Sequence, residues 1–130
     1  MESAAHANLV LKLARMVGER HAASSLVMLV DHVSYGANRP WSVDGFVPDL
    51  LATDFATDLE VLGEAKTPGD LETPRSIRQI GAFVQHVSLR PGGRFYLGVR
   101  WGHEPRAKLV LDAILREAGS SASGEVVGLA

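Results

Sequence analysis

Cysteine is absent from the 130 residues, which excludes disulfides and thiolate zinc sites and makes a cytoplasmic setting comfortable. No stretch approaches the roughly 18 apolar residues that a membrane span requires, and the start shows no charged segment leading into a long apolar run. The expectation is a soluble cytoplasmic protein with no membrane partner. A basic excess is lacking too: 13 Lys+Arg against 15 Asp+Glu leave a net charge of −2. That balance counts against a general nucleic-acid coating protein, though not against an enzyme that meets phosphates on one local basic face. The 5 histidines, His6, His21, His32, His86 and His103, never take the i, i+4 spacing of a zinc helix. A G-x-S-x-G elbow, a phosphate loop ending in Gly-Lys-Ser/Thr and a G-x-G-x-x-G turn are all missing, which disfavours hydrolase triads and nucleotide kinases. No internal repeat is present.

What is present is enough apolar material for a core: 46% hydrophobic and 22% charged residues suit one compact domain. Glu2 to Val17 predicts an amphipathic helix ended by Gly18, with Ala5, Leu9, Leu13 and Met16 on one stripe and Glu2 and His6 projecting onto it. Ser25 to Val33 reads as a strand and Ser34 to Ser42 as a loop, whose Tyr35, Arg39 and Trp41 either stack on bases or pack over a sheet edge. Val43 to Thr53 and Leu59 to Thr67 read as strands joined by a turn at Asp54 to Asp58. After a loop at Thr67 to Glu72, Thr73 and Pro74 make an N-cap and first helical residue for a helix to Ser88. Its expected buried stripe is Ile77, Ile80, Val84 and Val87, with Arg75, Gln79 and His86 on a bordering face. Pro91-Gly92-Gly93 reads as a turn, Arg94 to Trp101 as a strand, and Pro105 to Gly119 brackets a last helix carrying Val110, Leu111, Ile114 and Leu115. Ser120 to Gly124 reads as a linker, and residues 120–130 as a flexible tail or a short added strand. The coarse order is α-β-β-β-α-β-α, an α/β chain with a central mixed sheet flanked by helices.

The chemistry concentrates in the hairpin. If it is symmetric about the midpoint of Ala56 and Thr57, Asp49 and Glu64 lie opposite one another on the same face. Opposed Cβ atoms stand about 4.5–5.5 Å apart, where two carboxylates repel unless a positive group sits between them. Lys66, two residues beyond Glu64, brings an ammonium to that face. Pro48 removes a backbone donor just before Asp49, as suits an opening in the ladder. The plainer reading is a surface cross-strand ion pair worth less than about 1 kcal/mol. Val47, Leu50, Leu51, Val61 and Leu62 argue against it by making both faces of the hairpin apolar, hence covered.

Pro48-Asp49, fourteen residues, Glu64-Ala65-Lys66 and then a helix with Gln79 together resemble the PD-(D/E)XK nuclease superfamily over about residues 2 to 101. The likeness is strongest to small Holliday-junction-resolvase-like and virus-type replication-repair nuclease domains. It implies a restriction-endonuclease-like core at residues 1–119 and Mg²⁺- or Mn²⁺-dependent hydrolysis of DNA phosphodiester bonds. Asp49, Glu64 and the Ala65 carbonyl would hold the metal, Lys66 would orient or activate the attacking water, and Gln79 would support Lys66 or that water. In this family an acid near the start of the first helix often joins the metal, and Glu2 is the positional match, with Glu19 a weaker substitute. Glu2 is equally explained as a carboxylate favoured by the helix dipole, and Gln79 as ordinary helix-surface polarity. Arg75, Arg78 and Arg90 are candidate phosphate contacts or simply a solvated face. A domain this small has little surface for a duplex, so a homodimer or a larger protein partner is expected. The contrasting reading is a catalytically inactive DNA-binding or assembly module on the same fold, and a third is a small α/β regulatory protein whose likeness is accidental.

Overall fold

A computed structural model describes residues 3–119 and 123–130 as a five-stranded mixed sheet packed against three helices. The elements are α1 (Ala4–Arg20), β1 (Leu26–Val30), a short 3-10 turn (Val33–Tyr35), β2 (Leu50–Asp54), β3 (Leu59–Lys66), α2 (Pro74–Ser88), β4 (Gly92–Arg100), α3 (Glu104–Ala118) and β5 (Glu125–Leu129). The strands lie in sequence order across the sheet. β1, β2 and β3 pair antiparallel, while β3, β4 and β5 run parallel, each parallel step bridged by a helix as such crossovers demand.

The sheet separates two cores. On one face α1 covers Leu50, Ala52, Val61, Ala65 and Tyr96 with Leu9, Val10, Leu13, Ala14 and Val17. On the other, α2 and α3 cover Leu51, Leu62, Phe95, Leu97 and Val99 with Ile80, Phe83, Val84, Val110 and Leu111. The residues of each strand alternate between these two lists, as the period of two requires. No described helix is long and apolar enough to cross a membrane.

The expected order is observed with one addition: residues Glu125–Leu129 form the added strand, pairing parallel to β4. The linker residues 120–122 lie outside the described residues. Four local expectations are corrected. Gly18 does not end α1, which continues to Arg20 and is capped at His21; the buried stripe is Leu9, Val10, Leu13, Ala14 and Val17, and Ala5 is exposed. Packing of that stripe outweighs the roughly 1 kcal/mol that a glycine costs a helix. β2 begins at Leu50 rather than Val43, because Asp44 (φ 52°) and Gly45 (φ 85°) turn the chain tightly at the Val43–Phe46 bridge and Pro48 offers no amide to a ladder. Val47 is accordingly exposed rather than part of a covered strand. In α2 the buried set is Ser76, Gln79, Ile80, Phe83, Val84 and Val87, so Ile77 sits at the margin of the core and Gln79 within it.

The fourth correction concerns Gly92 and Gly93: the expected turn is there, closed by the Gly93 N–H donating to the Arg90 carbonyl at 3.1 Å, but both glycines also open β4. A Cβ at Gly92 would lie 2.2 Å from the Asp58 carbonyl oxygen, and one at Gly93 would lie 2.0 Å from that of Val87. Here two backbones pass too closely for any side chain, which is the other use of glycine.

Candidate functional site

The hairpin register is the expected one: Leu50 pairs with Gly63, Leu51 with Leu62, Ala52 with Val61 and Thr53 with Glu60. Extended by one residue, it sets Asp49 opposite Glu64 at the open end of β2. Because β3, β4 and β5 are parallel, their carboxyl ends gather at this same end of the sheet, where ligand sites of open α/β sheets characteristically form.

Backbone amides aim both acids. The Asp49 amide donates to Glu64 Oε1 at 3.0 Å, and the Ala65 amide donates to Asp49 Oδ2 at 2.8 Å. Asp49 is 5% exposed and Glu64 2%. His6 on α1 reaches across the sheet end, its Nε2 lying 3.2 Å from Asp49 Oδ2. Lys66 Nζ stands 3.4 Å from Glu64 Oε2 and donates to Gln79 Oε1 at 2.5 Å. Strand β3 thus supplies an acid and an amine, the residue preceding β2 the second acid, α2 the amide and α1 the imidazole.

The electrostatics of this cluster are strained in one sense. Burial pushes the Glu64 carboxyl well above the ordinary carboxylate range, and the neighbouring charge of Asp49 pushes it further. Lys66 and the Asp49 amide pull the other way without cancelling the effect. One ammonium does not neutralise two buried carboxylates, so an added cation would be favoured here.

The donor set suits a hard divalent ion. Besides the backbone amides that each accepts from, the carboxyl groups of Asp49 and Glu64 stand within hydrogen-bonding reach of one another. Glu64 Oε2 faces the same space as Lys66. Among the described residues no three His, Cys, Asp or Glu side chains converge as metal ligands. Two carboxylates with the remaining positions left to water is a set that Mg²⁺ accepts. The Ala65 amide is engaged with Asp49, and Glu2, the expected third acid, lies outside the described residues.

Other expected residues fall into two groups. Gln79 joins the acids and is 8% exposed, which removes the surface-polarity explanation. Arg75, one helical turn before it, lies over the Phe46 ring at 5.4 Å. Arg78 faces away, lining the cleft between α2 and α3 with Glu117 and Ile114. Arg90 and His86 both bond Glu60 Oε1 at 2.8 Å, six residues back along β3 from Lys66 and hence about 20 Å from it. These two are not brought to the acids. Arg39 is held by Asp31 at 2.8 Å, and Trp41, 56% exposed, shares a cleft with Gln85, His86 and Leu89 toward the end of α2. His6 is the site residue that was given no role from sequence; its only signal was its place on the same helical stripe as Glu2.

Comparison with protein-family models, with curated proteins and with solved structures finds no match.

Proposed function

We propose that this protein is a Mg²⁺- or Mn²⁺-dependent deoxyribonuclease with a PD-(D/E)XK, restriction-endonuclease-like core. The observation that carries the reading is the convergence of two buried carboxylates, Asp49 and Glu64, with the Lys66 ammonium at the carboxyl end of β3. The strand order with its antiparallel and parallel halves is compatible with that core.

In this reading Asp49 and Glu64 hold the ion, which when bound supplies Lewis acidity at a phosphate oxygen and a water that ionises near neutral pH. Lys66 offers a positive N–H to charge that grows on the phosphate, and it orients the attacking water. Gln79 fixes the Lys66 ammonium from α2, and His6 fixes Asp49 from α1. Such outer contacts orient the groups that do the chemistry. Arg75, a turn from Gln79 and with its guanidinium over the Phe46 ring, would be the α2 cation that meets a phosphate. A homodimer, or a larger protein partner, would supply the DNA-embracing surface that 130 residues lack.

A non-catalytic DNA-binding or assembly module is the second reading, favoured by the net charge of −2 and by the two polar contacts Asp49 Oδ2 already makes. Incubation of the purified protein with branched and linear DNA, with and without Mg²⁺ or Mn²⁺ and beside Lys66→Ala, separates them. Metal-dependent cutting lost in the variant is expected. Binding without cutting favours the module, and cutting that persists unchanged in Lys66→Ala rejects the role of Lys66.

A further inference from the structure

Beside the acids, on the α1 face of the sheet, runs a groove of about 620 Å³ between α1 and the carboxyl ends of β3, β4 and β5. Ala5, Asn8, Leu9 and Lys12 form one wall; Thr67, Pro68, Arg100, Trp101, Leu129 and Ala130 form the other. It ends near the acid cluster on the other face of the sheet: Thr67 follows Lys66 at the end of β3, and Ala5 precedes His6, which reaches Asp49.

Three properties of the groove point to one kind of occupant. Lys12 and Arg100 line it with no ion-pair partner among the described residues, a state they share with Arg15, Arg75, Arg78, Arg94, Lys108 and Arg116, but only these two stand together beside an exposed tryptophan in the groove. Trp101 is 69% exposed although its backbone is fixed, its amide donating to the Leu129 carbonyl at 2.9 Å and the following turn closed by His103 N–H to Arg100 O at 3.0 Å. A large apolar ring held out to solvent on a rigid mount is a ready platform for stacking. The space lies within the roughly 300–1,000 Å³ of small-molecule clefts, a size that suits a short run of nucleotides.

We propose that this groove binds single-stranded DNA running to or from the acid cluster, with Lys12 and Arg100 on successive phosphates and an unpaired base stacked on Trp101. Unpaired bases are required because only they offer a free face to the indole. Two unpaired cations and one aromatic suffice for a short single strand, while a duplex needs a broad basic face that a chain of net charge −2 does not offer. The assignment names the substrate class for the nuclease reading given above and takes its choice of DNA from it.

The test is fluorescence anisotropy of a labelled oligo(dT) in EDTA, so that binding is read without cutting, with a duplex of equal length as competitor. The single strand is expected to bind better than the duplex. Trp101→Ala should weaken it by about 5- to 150-fold. Lys12→Ala/Arg100→Ala should reduce the slope of log affinity against log salt by about 1.4, two contacts at about 0.7 each. Trp41→Ala, at an exposed tryptophan away from the groove, should bind as the parent does. The proposal is overturned if the parent binds no oligo(dT), if it prefers the duplex, or if both groove variants keep the parental affinity and slope.

Failure of the two readings can be told apart. A parent that binds single strands through these residues yet cuts nothing with Mn²⁺ leaves the groove standing and removes the nuclease. A parent that cuts, with groove variants that bind and cut unaltered, does the reverse.

Discussion

Asp49 and Glu64 are aimed by each other's strand: the amide of Asp49 holds Glu64 Oε1 at 3.0 Å, and the amide after Glu64, that of Ala65, holds Asp49 Oδ2 at 2.8 Å. This reciprocal bonding fixes two like charges side by side in a nearly dry place, an arrangement that costs stability and is characteristic of functional sites.

The cost has a sign that can be measured. The folded protein keeps a proton on Glu64 to a higher pH than the unfolded chain does, because burial and Asp49 raise its pKa. Across the interval between the ordinary carboxylate value and the raised one, the folded state binds more protons, so stability falls as pH rises. Glu64→Gln keeps an oxygen for the Asp49 amide and removes the charge. Its melting temperature should exceed that of the parent by several degrees at pH 8, since about 1 kcal/mol moves the midpoint of a small domain by about 2–8 °C. The advantage should shrink toward pH 4. Equal differences at both pH values in thermal melts would contradict this account of Glu64.

Lys66 and Gln79 form a unit whose members should not lose activity equally. If the proposed nuclease reaction holds, Lys66→Met removes the positive N–H that would face the phosphate and should lower the single-turnover cleavage rate by about 100- to 1,000-fold. Gln79→Ala leaves the ammonium in place, drawn only toward Glu64, and should cost about 10- to 100-fold, as supporting contacts do. A fully active Gln79→Ala would show that the amide serves packing alone.

His6 supports Asp49 from α1, so His6→Ala should weaken Mn²⁺ binding by about 10-fold while leaving the far-ultraviolet circular dichroism unchanged. Unaltered Mn²⁺ affinity would separate the imidazole from the metal site.

The parallel crossover depends on the absence of side chains at the start of β4. Gly93→Ala would drive a Cβ into the Val87 carbonyl, a backbone group that cannot step aside, and should yield insoluble protein or a midpoint lowered by more than about 10 °C. Gly69→Ala, where a Cβ would meet nothing within 4 Å, should melt within about 2 °C of the parent. Comparable melts for the two variants would refute the close-approach argument.

The hairpin was readable in advance because a register is a sum: one symmetric turn sets every pair from Thr53–Glu60 to Leu50–Gly63 and, one step further, Asp49 against Glu64. The α2 cap was readable because Thr73 and Pro74 are chemically specific, and Thr73 Oγ1 does accept from the Ser76 amide at 3.1 Å. Less legible was whatever depends on partners far along the chain. Gly92 and Gly93 read correctly as part of a turn, but their second use, the close approach to the Asp58 and Val87 backbone, depends on residues far along the chain. Gln79 looks like surface until Lys66 extends to it, and Arg90 looks like a phosphate ligand until Glu60 takes it. His6 offers no motif of its own, since one imidazole becomes informative only beside the acid it touches.

Calorimetric titration of Mn²⁺ into the protein tests the central claim most directly, because it asks whether the two buried carboxylates hold an ion before any reaction is involved. One ion per chain is expected to bind the parent, with affinity at least about 10-fold weaker in Glu64→Gln and in Asp49→Asn. No binding by the parent, or binding that both variants retain at full strength, would contradict it.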